Sequence, residues 1–440
     1  MSRKLGKAAF LIGMTALTAC GGEGNPAKTP VGETKPAVAE VKNTEPITLD
    51  VFTVGVSKEE FDTRFRDVLG KKFPNITINY IMSGKGTTIQ DLVAEGKIPD
   101  IMRIDVPGMK AGYLDLGLGY DLNDLVKKYN YDLKRFNPTF IQEMISAGRT
   151  GALYGLPVPP YFPQVLYYNK DLFDKFGVPY PKDGMTWDEV YDLAKKLSRS
   201  DGNTVYRGFS AGIMPYLRDN PFSLPILDPE KDQLSDPEKW KLLFNNLKRF
   251  YEIPNNAVEK TLAAENDIFS KGNVAMQLNQ FNIYLIIPKE VNWDIVSVPT
   301  LEGAPKLMGQ RGPAYWSITK QSRHKDEAFQ VIMEMLSDNV QMRDSRNGIP
   351  TTLVNEEIRR ALGKDHPVYK NKHMDAVNYY QPSAPTPKRK AELVDVPGRS
   401  QESALTSVFM EVATGQTDVN TALRKADENL KQEIEKEKNK

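Results

Sequence analysis

The sequence predicts an α/β protein of two lobes hinged about a central cleft. Three observations carry that prediction. Apolar strand runs alternate with amphipathic helices from Ile47 to Asp105, which implies a parallel sheet with helices on both faces. Alternating α and β patterns resume beyond residue 173. Between them lies Gly155 to Phe173, GLPVPPYFPQVLYYNKDLF, which sets Pro157, Pro159, Pro160 and Pro163 around Tyr161 and Phe162. Proline fixes φ, lacks an N–H and drives the preceding residue into extended backbone. The first half of this stretch is therefore a stiff connector, and Gln164 to Asn169 reads as a strand. Its aromatics fall where the chain crosses between lobes, and clefts between domains are favoured ligand sites.

The chain opens with Arg3, Lys4 and Lys7, then the apolar run Ala8 to Ala19. That is a secretory signal, too short to span a membrane with these flanks. It ends at Leu17-Thr18-Ala19-Cys20, and Cys20 is the single cysteine of the 440 residues. A lone cysteine forms no internal disulfide. The segment resembles the lipobox of bacterial lipoproteins, which implies a signal peptide over 1–19 and a lipid on Cys20. Acylation there gives the two-chain anchoring that holds a folded domain at the extracellular face of the membrane. Residues 20–46 are rich in Gly, Pro, Lys, Glu and Thr without an aromatic, the composition of a disordered tether. The 58 basic and 57 acidic residues nearly cancel. Neither nucleic acid nor an anionic surface is implied as partner. No internal repeat is present, no cofactor is called for, and the expected state is a monomer.

The first lobe begins with a strand, Ile47 to Val54, and a helix with Phe61, Phe65, Val68, Leu69 and Phe73 on one face. Pro74 stops it. Ile76 to Ile81 is the second strand. Thr87 or Thr88 caps the next helix, which ends at Gly96. Pro99 to Asp105 holds the third strand. Ligands of such sheets sit beyond the carboxyl ends of the strands. The loops Gly55 to Lys58, Ser83 to Gly86 and Asp105 to Gly108 are therefore expected at the cleft.

Beyond the connector, Thr186-Trp187-Asp188-Glu189 is a capping box. Asp236 and Pro237 open the helix carrying Trp240, Leu243, Phe244 and Leu247. Val274 to Leu278, Trp293 to Val298 and Tyr315 to Thr319 read as strands. His324 to Ser337 is a helix, and the C-terminus is helical from Leu405 to Ile434.

Some motifs point to other chemistry. Gly208-Phe209-Ser210-Ala211-Gly212 matches the nucleophile elbow of hydrolases, with Thr204 to Phe209 as the preceding strand, but Pro215 interrupts the helix that should follow. Ser83-Gly84-Lys85-Gly86-Thr87 lacks the spacing of a phosphate loop. No two histidines have helical ligand spacing, and Asp228, Asp232 and Asp236 lack the glycine of a calcium loop, so no metal site is expected. Lys388-Arg389-Lys390 reads as a solvated basic run.

Taken together, several segments are similar to the extracellular sugar-type solute-binding proteins of bacterial ABC importers, the group that includes maltose-binding protein. They are Gly96-Lys97-Ile98-Pro99-Asp100-Ile101, Tyr154-Gly155-Leu156-Pro157 running into Leu166 to Phe173, and Met185 to Glu189. Phe269-Ser270-Lys271-Gly272-Asn273-Val274-Ala275-Met276, Trp316-Ser317-Ile318 and Lys325 to Phe329 complete the set. The resemblance implies the type II periplasmic-binding-protein-like fold. Its lobes would be 47–157 with about 300–342, and about 158–299 with 343–440. Three crossings are implied near Leu156 to Pro163, Val298 to Leu301 and Asn339 to Asp344. The resemblance also implies a carbohydrate ligand, an ABC permease as partner and no enzyme activity. Phe281 stands where many members carry tryptophan.

Sugars present hydroxyl fans and weakly apolar ring faces, which carboxylates, amides and aromatic rings match. The candidate ligand residues are Asp105, Tyr161, Phe162, Asn279, Gln280, Phe281, Tyr315 and Trp316. Two other readings compete. One is a surface-anchored hydrolase using Ser210, and the other is a binding protein for a peptide or polyamine.

Overall fold

A computed structural model describes residues 45–439. Cys20, the expected signal peptide and all but the end of the expected tether lie outside the described residues.

Two sheets organise the chain. The first orders its strands as Ile76–Met82, Ile47–Thr53, Ile101–Ile104, Ala314–Ile318 and Leu156–Val158. The first three run parallel, as the β-α-β-α-β pattern predicts. Ala314–Ile318 returns from far along the chain and lies antiparallel to both its neighbours. The helical segment after the first strand runs from Lys58 to Lys72, with Asp62–Arg66 wound as a π-helix. It buries Phe61, Phe65 and Leu69 against the sheet, as their spacing predicts. Thr88 caps Ile89–Ala94 through a reciprocal box with Asp91.

The second sheet runs Trp293–Ser297, Phe162–Asn169, Met276–Gln280 and Ser210–Ala211. Trp187–Leu197 packs on it and opens on the expected box. The Thr186 hydroxyl accepts from the Glu189 N–H at 3.2 Å, and the Glu189 carboxylate accepts from the Thr186 N–H at 2.7 Å. Asp236 caps Pro237–Tyr251. The terminal helices Gly398–Ala413 and Val419–Lys438 bury Val408, Phe409, Ala422, Ala426 and Leu430 in this second core.

The proline-rich connector divides where the prolines require. Leu156–Val158 pairs in the first sheet and Phe162–Asn169 in the second, so the chain passes between them over Pro159–Tyr161. The segment Asn339 to Asp344, expected as a crossing, is helical within Asp338–Arg346, capped by Ser337. Leu353 and Ile358 extend the first core past residue 342. A buried arginine fastens this region. Arg64 donates from Nε to Asp344 at 2.9 Å and from Nη2 to the Pro159 carbonyl at 3.1 Å.

Other local expectations differ from the structure: Pro215 does not interrupt the helix after Gly212 but lies in the first turn of Ile213–Arg218. Thr204–Tyr206 pairs with Arg199–Asp201 as an exposed hairpin, and only Ser210–Ala211 enters the sheet. Within the basic run, Arg389 is buried. It donates to the carbonyls of Asp228 and Lys231 and to the Asp232 carboxylate, so its charge ties down the acidic loop. Among the described residues, no helix is long and apolar enough to cross a membrane.

Candidate functional site

A cavity of about 1500 Å³ opens between the two sheets and draws its walls from both. The first lobe contributes Phe52 and Val54 at the end of the first strand, and Arg103 to Gly108 at the end of the third. These are the carboxyl ends of parallel strands, where such sheets place ligands. The loop Ser83 to Gly86, expected beside them, does not line the cavity.

Asp105 has two roles in the geometry. It caps the short helix Val106–Met109, accepting from the Gly108 N–H at 2.9 Å, and it faces the cavity. The cap fixes the carboxylate's direction before any ligand arrives.

The second lobe contributes Gly212 to Pro215, Arg218, the segment Leu262–Asp267, Asn279, Gln280, Asn282 and the first turns of Gly398–Ala413. Asn279 and Gln280 end a strand and are locked by hydrogen bonds. The Asn279 amide donates to Asn266 at 2.9 Å, and its oxygen accepts from the Gln280 N–H at 2.8 Å. The Gln280 amide donates to Asp219 at 3.3 Å. Gly212 passes directly under this pair. A Cβ there would sit 2.6 Å from the Asn279 oxygen, so the close approach requires glycine.

Leu262–Asp267 is anchored from below by Glu265, which is fully buried. Its carboxylate accepts from Arg207 at 2.8 and 2.9 Å, from the Tyr251 hydroxyl at 3.1 Å and from the Glu259 N–H at 2.9 Å. A buried carboxylate held by this many donors makes a rigid wall, although the buried Nε of Arg207 has no hydrogen-bond partner among the described residues.

Two arginines of the cavity contrast. Arg218 is bidentate to Asp219, both contacts 2.6 Å, and lies 3.6 Å from Glu402. Burial works against its charge, and these two carboxylates overcome it. Arg103 forms no ion pair among the described residues. Its Nη1 donates to the Val54 carbonyl at 3.4 Å, and its buried Nε has no hydrogen-bond partner. Burial, and after it the Arg64 guanidinium, pull Arg103 down to about 10. Arg103 is not among the candidate ligand residues read from the sequence. The available signal was a charged residue within the apolar strand Ile101-Met102-Arg103-Ile104, since an arginine seldom enters such a strand without a partner.

Asp105, Asn279 and Gln280 therefore come together at the cavity, and the five aromatic candidates do not line it. Trp316 is core, edge-on to Phe61 and Phe65 at 6.4 and 6.3 Å. Tyr315 is core too, its hydroxyl 2.9 Å from the Phe140 carbonyl and 2.8 Å from Glu143. Phe281 turns inward beneath its 3₁₀ turn, 5.0 Å from the Tyr284 ring. Tyr161 is buried against Phe140 at 5.2 Å, and burial raises its hydroxyl to about 12. Phe162 is half-buried on the strand paired with Gln310–Arg311. For Tyr315 and Trp316 the cause is a strand buried on both faces, and the apolar gain of burial places the rings inward.

Ser210 is fully buried, and its hydroxyl has no hydrogen-bond partner among the described residues. His373 instead bonds Asp183 at 2.7 Å, and His366 accepts from the Val368 and Tyr369 N–H groups. Among the described residues no base bonds the Ser210 hydroxyl, as an activated nucleophile would require. No group of three potential metal ligands forms among the described residues.

Comparison with known proteins places this architecture. Residues 55–342 match the family described as bacterial extracellular solute-binding protein. An uncharacterized ABC transporter extracellular-binding protein of Pyrococcus horikoshii is 28% identical over 198 residues, 44% of this chain and 42% of that one. The match thus spans less than half of that relative's length. An sn-glycerol-3-phosphate-binding periplasmic protein of Brucella melitensis is 23% identical over 323 residues, 68% of this chain and 71% of that one. Among solved structures, a sugar transporter from Rhizobium etli in an open conformation superposes with a TM-score of 0.69 at 20% identity. It covers 87% of this chain and 99% of that one. An ABC substrate-binding protein from Listeria monocytogenes in complex with cycloalternan gives 0.66 at 19% identity, covering 88% and 99%. At these identities the structural likeness establishes the two-lobed fold.

Proposed function

The chain belongs to the bacterial extracellular solute-binding proteins, and from that premise we propose that it captures an oligosaccharide-type solute between its lobes. The solute then passes to the membrane permease of an ABC importer. The observation that carries this reading is the cavity of about 1500 Å³, walled by both lobes. Small-molecule sites commonly occupy about 300–1,000 Å³, so the space suits an extended ligand. Its chemistry suits a polyol. Asp105, Asn266, Asn279 and Gln280 offer carboxylate and amide groups for hydroxyls, while Val54, Met214 and Ile283 offer apolar surface for ring faces. The bound cycloalternan of the Listeria relative is consistent with this class. The lipobox at Cys20 supports attachment to the extracellular face of the membrane. Cys20→Ala is expected to leave the membrane fraction, and unchanged partitioning would refute the anchor.

Ligand bridging the two faces favours a closed population. The test is a thermal-shift screen against neutral and charged oligosaccharides, peptides and polyamines, since a ligand that binds only the native state raises its melting temperature. The expected result is a sugar hit whose addition lowers the radius of gyration in solution scattering. A peptide or polyamine hit with every sugar silent would overturn the carbohydrate reading. Hydrolysis of a hit, lost in Ser210→Ala, would restore the enzyme.

A further inference from the structure

Arg103 is placed as a recognition group and not as a structural one. It stands at the carboxyl end of the third strand of the first sheet and lines the cavity. Among the described residues its side chain makes a single hydrogen bond, to the Val54 carbonyl, long at 3.4 Å. Its Nε is buried with no acceptor. The nearby carboxylates are committed elsewhere. Glu60 pairs with Arg64 at 3.4 Å, and Asp105 caps its own helix through the Gly108 N–H. Arg218, across the cavity, is already answered by Asp219 and Glu402. The Arg103 side chain is half-buried, and its Nη2, which has no hydrogen-bond partner among the described residues, is left for an acceptor that a ligand brings. The planar fork fits a carboxylate or phosphate in a bidentate contact.

We propose that Arg103 is an anion-recognition residue of the cleft, and that the solute carries an oxyanion, a carboxylate or a phosphate, on a sugar or polyol frame. This rests on the cavity being the solute site. The opposing wall offers the amides of Asn266, Asn279 and Gln280 to the uncharged hydroxyls of the same ligand. Charge recognition and hydroxyl recognition are thus divided between the lobes, and a ligand with both features bridges them.

The test is calorimetric titration of the purified full chain with four probes: maltotriose, trigalacturonate, glucose 6-phosphate and sn-glycerol 3-phosphate. At least one anionic probe is expected to bind tenfold or more tightly than maltotriose, with affinity falling as salt rises. The uronate and phosphate arms identify which oxyanion is read. Arg103→Gln should lose tenfold or more for that probe and lose less for maltotriose, so that the preference for the anion collapses. Arg103→Lys, which keeps the charge without the fork, should fall between. Because Arg103 makes no ion pair among the described residues, both variants are expected to melt at or above the wild-type temperature. Maltotriose binding as tightly as every anion, or Arg103→Gln retaining the anion preference, overturns the proposal and leaves the carbohydrate reading standing. Failure of all four probes also overturns it, and the wider solute screen then judges the cleft separately.

Discussion

Arg64 and Arg103 belong to the same lobe and are near enough for one charge to weaken the other. They sit in different regions. Arg64 lies at the crossing, where Asp344 and the Pro159 carbonyl accept from it. Arg103 lies at the cleft, where its Nε has nothing to donate to. The same side chain is a fastening in one region and an open contact in the other. A carboxylate partner, more than charge or depth, separates the arginine that holds the fold from the one offered to a ligand. The rings and amides divide likewise. Phe281, Tyr315 and Trp316 are packed in cores, and Asp105, Asn279 and Gln280 face the cavity.

The comparison breaks most severely at Trp316. Trp316→Ala empties a fully buried site and is expected to cost about 3–5 kcal/mol of stability in chemical denaturation. Affinity in the folded fraction should be unchanged. A stable variant with weakened binding would place the ring in the site after all.

Arg64→Ala comes next. Removing one partner of a buried pair costs about 3–5 kcal/mol, and the lower end is expected because Arg343, 3.0 Å from Asp344, still neutralises it. The melting temperature reports this loss. Stability equal to wild type would show that the crossing is held by the surrounding apolar packing alone.

Asp105→Asn sharpens the other side of the comparison. Asparagine caps a helix about as well as aspartate, so the melting temperature should hold. Hydrogen bonds to a charged group contribute about 1.5–3 kcal/mol. Affinity for a hit from the solute screen should therefore fall by about ten- to a hundredfold. A falling melting temperature with intact affinity would reduce Asp105 to its cap.

The smallest effect concerns His373. Its hydrogen bond to Asp183 raises it above the ordinary 6.5, with burial opposing. The folded protein thus holds this proton more tightly than the unfolded chain does. That stabilisation is complete below pH 6.5 and is lost as pH rises through the raised folded value. His373→Asn should flatten the dependence of melting temperature on pH in that window. An unchanged profile would show that the pair contributes nothing to folding.

Much of the architecture was legible from local pattern. The caps at Thr88, Thr186 and Asp236 stand where the sequence predicts, because a cap needs only residues three or four apart. The connector divides between the sheets because four prolines leave its backbone few choices. The parallel order of the first three strands follows from alternation and handedness. Which lobe a late segment joins was not local. Ala314–Ile318 enters the first sheet, and Asp338–Arg346, expected as a crossing, is a helix whose Val340 packs in the first core.

The sequence by itself determined the element types, their caps, the two-lobed fold and the polar residues at the strand ends. Only the tertiary structure decided which way each ring faces. Every residue of Ala314–Ile318 is buried, so no alternation marks a cleft side and a core side for Tyr315 and Trp316. In a half-solvated strand, period two separates the faces; in a strand covered on both, the two faces are alike to water. Arg103 was beyond local reading for a related reason. Its lack of an ion pair depends on where Glu60 and Asp105 spend their own charges, and that is settled only when distant segments pack.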